Sequence, residues 1–291
     1  AQILAGLRHE AEEPNTIARD AFAASAFPNH PYGRPLKGTI EGVPSIVRSD
    51  LDAYRRKVLA RDGLKIAVVG DIDEKALGTA LDRIFGGLAL QASLAAVDDI
   101  IMAGGRLQSI DLAVPQSVIV FGLPGLARKD ADFVPALVMN HVLGGGSFTS
   151  RLWQEVREKR GLAYSVRSGL SPMRHSATLA GSTSTKNERA RESLSVITQE
   201  IESLAGGDLA EDELDKAKKF LTGAYALRFD TSSKIARELL HVQLEELGLD
   251  HFERRNAEIA AVGTADIGRV AKRLLDTKKM LVVVVGRPEG I

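Results

Sequence analysis

Apolar residues recur along this chain with two periods, and the change from one to the other predicts most of its elements. Spacing near 3.6 predicts helices over 2–12, 15–26, 49–60 and 73–85. The same spacing predicts helices over 131–143, 148–160, 187–205, 211–228, 232–246 and 264–275. Short apolar or alternating runs predict strands at 64–70, 116–123, 163–170, 176–183 and 280–286. The closely spaced strands at 163–183 favour a hairpin. The expected fold is therefore α+β, a largely antiparallel sheet with helices packed on one face.

The pattern also repeats. "DLDAYRRKVLARDGLKIAVVG", from Asp50 to Gly70, returns as "DIGRVAKRLLDTKKMLVVVVG", from Asp266 to Gly286. Both join a helix to an apolar strand. "TIARDAF" at Thr16 returns in the same order as "KIARELL" at Lys234, at nearly the same displacement. The second copy starts near Ser109, so about a hundred residues of the first copy are expected upstream of Ala1. The expected organisation is the later half of a first domain over 1–90, a linker over 91–108, and a complete second domain over 109–291. The opening "AQILAGLRHEAEEP", with Ile3, Leu4 and Leu7 on one face, reads as a helix met in mid-domain.

Composition narrows the function. The 291 residues carry 38 Lys+Arg against 38 Asp+Glu, and this balance gives no reason to expect nucleic acid or an anionic membrane as a partner. No apolar run reaches the length of a membrane-spanning helix. With no cysteine, thiolate metal sites and cysteine nucleophiles are excluded, while the compartment stays open. The six histidines, His9, His30, His141, His175, His241 and His251, show no paired spacing for a metal. His9 reads as surface beside Glu10, Glu12 and Glu13, and His141 as a satisfied core group at a helix end.

The densest stretch is "LGGGSFTSRLWQEVREKRGLAYSV", Leu143 to Val166. Gly144, Gly145 and Gly146 offer a cradle for an anion, but the Gly-Lys-Ser/Thr ending of a nucleotide loop is missing. Ser147 suits an N-cap. Phe148, Leu152 and Val156 form a helical core stripe, and Arg157, Lys159 and Arg160 complement the dipole of the last turn. Gly161 fits the left-handed residue that ends a helix. On these grounds Arg157 is a helix-end charge, and Tyr164 a strand aromatic facing the same side as Val166. The alternative, that the two are held together for chemistry, stays open. "FPNHPYGRPLKGT", residues 27–39, reads as a rigid connection.

The long Leu143–Val166 motif, "AFPNHPYGRPLKGT" and "DLDAYRRKVL…IAVVGD" together resemble the M16 metallopeptidases, the family of pitrilysin, insulysin and mitochondrial processing peptidase. The resemblance covers nearly the whole chain. It implies homologous α/β domains and zinc held by HxxEH on one helix and a Glu on a later one. It further implies an Arg and a Tyr from the following domain that contact substrate and the oxyanion, and Arg157 and Tyr164 match that pair. The zinc set does not match. HxxEH would fall in the stretch expected upstream of Ala1, and the positions expected for the later Glu fall around Ala5 and Gly6, where no carboxylate stands.

What the resemblance implies is thus a chain without its own metal ligands. It would be a zinc-less subunit of a heterodimeric peptidase, with a zinc-bearing M16 subunit as partner and an unfolded peptide or small protein as substrate. A complete peptidase with HxxEH upstream, and a purely structural subunit, are the alternatives. Family habit leans towards the bacterial periplasm.

Overall fold

The computed structural model describes residues 2–291. Its helices are α1 (Gln2–Glu10), α2 (Pro14–Ala26), α3 (Arg48–Val58), α4 (Glu74–Phe85), α5 (Phe133–Asn140), α6 (Ala190–Ala205), α7 (Glu211–Gly223), α8 (Ser232–Leu244), α9 (His251–Ala261) and α10 (Thr264–Leu274). Its strands are β1 (Arg106–Asp111), β2 (Gln116–Pro124), β3 (Ala163–Met173), β4 (Ser176–Lys186) and β5 (Leu281–Gly286). The chain folds as two contact units. One takes the residues up to Gly38, Asp98–Thr222 and Arg255–Ile291, and the other takes Thr39–Val97 and Gly223–Arg254.

The first unit holds the sheet, in the order β1-β5-β2-β4-β3. Only β1 and β5 run parallel; the other neighbours are antiparallel, as expected. Side-chain alternation splits β2 between two layers. Ile119, Phe121 and Leu123 join Leu179, Val282 and Val284 beneath buried residues of α5, α6 and α10, which pack on that face. Val118 joins Leu281, Val283 and Val285 on the other face, which is covered by Ala18, Phe22 and Ala26 of α2. Because β5 is buried on both faces and paired on both edges, every one of its positions is apolar or glycine.

The second unit carries little apolar core. Leu51 and Tyr54 of α3 lie exposed, as does Ile84 of α4. The expected strand at 64–70 is not a strand: the segment runs without a ladder. A run of apolar residues becomes a strand only where another backbone presents matching donors and acceptors. The backbone pairing shown here is a single parallel bridge, Ala60 to Ala89, and Ile66 instead accepts a side-chain hydrogen bond from Gln243 Nε2 at 3.1 Å.

The sequence repeat returns as repeated local structure. The displacement that carries Asp50 to Asp266 carries α3 onto α10, each of 11 residues. Both helices have the same cap: Asp50 Oδ2 accepts from Val47 N–H at 3.0 Å, and Asp266 Oδ2 from Gly263 N–H at 3.0 Å. The displacement from Thr16 to Lys234 likewise carries α2 onto α8, each of 13 residues.

Two elements escaped the sequence patterns. Strand β1 begins inside the stretch expected as linker, and α9 is rich in charged residues.

Candidate functional site

The stretch from Leu143 to Val166 is not one regular helix followed by a strand. After α5 the backbone widens into a π-helical turn at His141–Gly145, tightens to a 3₁₀ turn at Ser147–Thr149, then widens again at Trp153–Glu158. Lys159 N–H bonds to Gln154 C=O at 2.9 Å, a five-residue step that marks the wider coil. The glycines serve close packing rather than anion binding. A Cβ on Gly144 would stand 2.4 Å from Ser168 Oγ and 2.8 Å from Ser168 N. Ser168 in turn donates to Asn140 Oδ1 at 2.7 Å, which fixes the first π turn against β3.

Several expectations change here. Ser147 is not the N-cap; it has φ 46, and its carbonyl accepts from Ser150 Oγ. The expected core stripe loses its first member, since Phe148 is 67% exposed while Leu152 and Val156 are buried. The irregular turns rotate Phe148 off that line. His141 is buried, but its Nε2 has no hydrogen-bond partner, so it is not a satisfied core group. Burial pushes its pKa down, and the ring stacks on Phe220 at 5.0 Å.

The cations of this segment do not share one role. Arg151 forks onto Glu213, at 2.8 and 2.6 Å. Lys159 and Arg160 both donate to the Glu155 carboxylate, and Arg160 Nη1 also donates to the Glu155 carbonyl at 3.0 Å. Arg157 is different. Its guanidinium carbon lies 4.1 Å from the Trp153 ring centre and 4.8 Å from that of Tyr164. A Glu158 carboxylate oxygen lies 3.8 Å from its Nε. Among the described residues no hydrogen bond ties its Nη groups.

Tyr164 reaches this guanidinium because β3 is irregular. Ala163 pairs with Thr185 and Val166 with Thr183, so β3 has one residue more than β4 between these pairs. Such a bulge turns side chains out of the normal alternation. Tyr164 therefore does not share the side of Val166: it is 83% exposed, whereas Val166 is 2% exposed. Gly161, at φ 57, makes the left-handed turn that leads from the π-helical stretch into β3, as expected of it. Beside Tyr164, a cavity of about 490 Å³ is lined by Gln116, Ser165, Ser184 and Lys186 among others.

The structure thus brings Arg157 and Tyr164 together, and adds two residues the sequence reading passed over. Trp153 lies four positions before Arg157, a spacing that signals contact on a helix face. Glu158 accepts a hydrogen bond from Trp153 Nε1 at 3.1 Å.

A zinc site finds no support from the residues present. Among the described residues, no group of three or more His, Asp and Glu could hold a metal. Glu10, the one carboxylate of α1, is engaged by the Lys37 ammonium. The donor set does not fit the family's metal.

Comparison with known proteins sets this geometry in a family. The model described as "Peptidase M16 inactive domain" matches residues 45–221. The chain belongs to the peptidase M16 family. It is 29% identical over 287 residues to an uncharacterized zinc protease of Streptomyces coelicolor, covering 94% of this chain and 61% of that protein. It is 32% identical over 240 residues to the non-peptidase homolog YmxG of Helicobacter pylori, covering 80% of this chain and 54% of that one. The chain therefore spans less than two thirds of these relatives. A peptidase M16 inactive domain from Pseudomonas fluorescens superposes with a TM-score of 0.90 at 25% identity, covering 99% of this chain and 68% of that structure. Among the described residues, no helix is long and apolar enough to cross a membrane.

Proposed function

We propose that this M16 chain is the subunit of a two-chain peptidase that holds peptide, while a second, zinc-bearing subunit carries the metal. One observation supports the reading above the others. Among the described residues, Arg157 alone of the cations in its segment makes no side-chain hydrogen bond, and the exposed Tyr164 ring lies beside it. A fixed guanidinium and a phenol pointing to solvent suit a peptide carbonyl and the negative charge that grows on it during hydrolysis. The homologous-domain division, 1–90, 91–108 and 109–291, belongs to the same reading. The unfolded chain of a small protein is the substrate class.

The family name "inactive domain" and the relative called a non-peptidase homolog favour a chain without a catalytic centre of its own. The test is peptide hydrolysis by this chain alone, by a candidate zinc-bearing M16 subunit alone, and by the two mixed. Activity confined to the mixture, and lost with Tyr164→Phe, supports the proposal. Activity of this chain alone would instead indicate a complete peptidase. Full activity of the other subunit alone, unchanged on mixing, would leave this chain a structural role.

A further inference from the structure

Peptide binding at Arg157 requires that its guanidinium be held in one place, and among the described residues no hydrogen bond fixes it. An unrestrained arginine samples many rotamers, and a ligand must then repay the entropy of ordering it. The structure supplies the restraint by stacking. The guanidinium sits against two rings, Trp153 at 4.1 Å and Tyr164 at 4.8 Å. The indole is the better cation–π surface of the two, and the nearer. It is itself fixed at both sides: Phe148 meets it edge-on at 4.8 Å, and its Nε1–H donates to Glu158. Glu158 thus orients the indole with one carboxylate oxygen that also lies 3.8 Å from Arg157 Nε.

The π-helical turn explains why Trp153 can do this. Trp153 and Arg157 lie four residues apart in this wider coil, and the guanidinium carbon stands over the indole, 4.1 Å from the ring centre. Leu152 and Val156, the buried neighbours, anchor this turn in the core.

We infer that Trp153 is the positioning residue of the site: with Glu158 it clamps the Arg157 guanidinium against Tyr164, so that the Nη edge is presented to a peptide carbonyl or carboxylate. The inference rests on the reading that Arg157 holds peptide, and its test separates the two. The full chain is used, with a fluorescein-labelled unstructured casein peptide as probe, and folding is checked by far-ultraviolet circular dichroism.

The first arm asks only about position. In an ¹⁵N spectrum, the Arg157 Nε–Hε signal, assigned by its loss in Arg157→Lys, is expected to be shifted by ring currents. It should return towards the ordinary arginine position in Trp153→Leu and stay shifted in Trp153→Phe. A signal at the ordinary position in the wild type, or one that Trp153→Leu does not move, overturns the inference.

The second arm asks about binding. Trp153→Leu should weaken peptide binding roughly three- to thirtyfold, and Trp153→Phe by less than about threefold. The double variant Trp153→Leu/Arg157→Ala should bind no more weakly than Arg157→Ala, since both remove one interaction. Effects that multiply would mean that Trp153 contacts the peptide by itself, which overturns the positioning role. If the signal moves as expected but Arg157→Ala binds peptide like the wild type, the clamp is supported and the peptide-holding reading falls.

Discussion

The Arg157 guanidinium carbon stands 4.8 Å from the centre of the Tyr164 ring, across the turn made by Gly161. Neither side chain is held by a hydrogen bond to another part of the protein among the described residues. Their contact depends on two irregularities in the backbone, a π-helical turn on one side and a bulged strand on the other. Backbone irregularities of this kind are costly in isolation, and they are found where a side chain must be re-aimed.

Tyr164 should matter for turnover far more than for assembly. In a reconstituted peptidase pair, Tyr164→Phe is expected to lower kcat by roughly a hundredfold, the scale for loss of one preorganised donor. Subunit affinity should stay within a factor of about two, because the ring remains to stack on Arg157. Steady-state kinetics and a binding titration of the same preparation measure both. An unchanged kcat would remove Tyr164 from the reaction.

Gly144 should tolerate no side chain. A Cβ there would lie 2.4 Å from Ser168 Oγ and 2.9 Å from Leu152 Cδ1. Gly144→Ala is expected to destabilise the protein by about 1–3 kcal/mol, as overpacking does. Urea unfolding gives the number; wild-type stability would show that the turn has room to yield.

Phe22 ties α2 to the sheet face built from Val118, Leu281, Val283 and Val285. Phe22→Ala should cost about 3–5 kcal/mol, the range for deleting a buried aromatic ring. A loss below about 1 kcal/mol would mean that α2 contributes little to this core.

Asp130 and Asp132, in the turn before α5, face Arg269 and Arg273 of α10. Arg273 holds the Asp130 carboxyl below its usual range; Arg269, then Arg273, do so for Asp132. A depressed pKa in the folded state contributes stability above the unfolded value, near pH 4, and this is lost as pH falls through the folded value. The melting temperature of Asp132→Asn should therefore lie a few degrees below wild type at pH 7. Below about pH 4 the gap should narrow. Thermal melts across pH 3–7 provide the check, and a gap independent of pH would contradict the assignment.

The sequence by itself determined the elements whose residues carry their own period. The stripes of α2, α6, α8 and α10, the apolar run of β2, and the unbroken valine run of β5 were legible because burial on one or both faces writes directly into residue choice. The recurrence of α3 as α10, down to the capping aspartate, was legible as a repeat of residue types at a fixed displacement. So was Gly161, since a left-handed turn favours glycine.

Tertiary structure decided the rest, wherever the outcome depends on a partner far along the chain. The apolar run at 64–70 looks like β5, yet it lacks the two ladders that make β5 a strand. Tyr164 has the spacing of a residue that shares the side of Val166. The extra residue in β3 opposite Thr183–Thr185 turns it outward instead. Arg157, Lys159 and Arg160 are alike in sequence. Glu155 takes the last two, while Trp153 and Tyr164 take the first. Local period reports which face is apolar, but register and pairing belong to two segments at once. In this chain, the candidate site is made of the second kind of information.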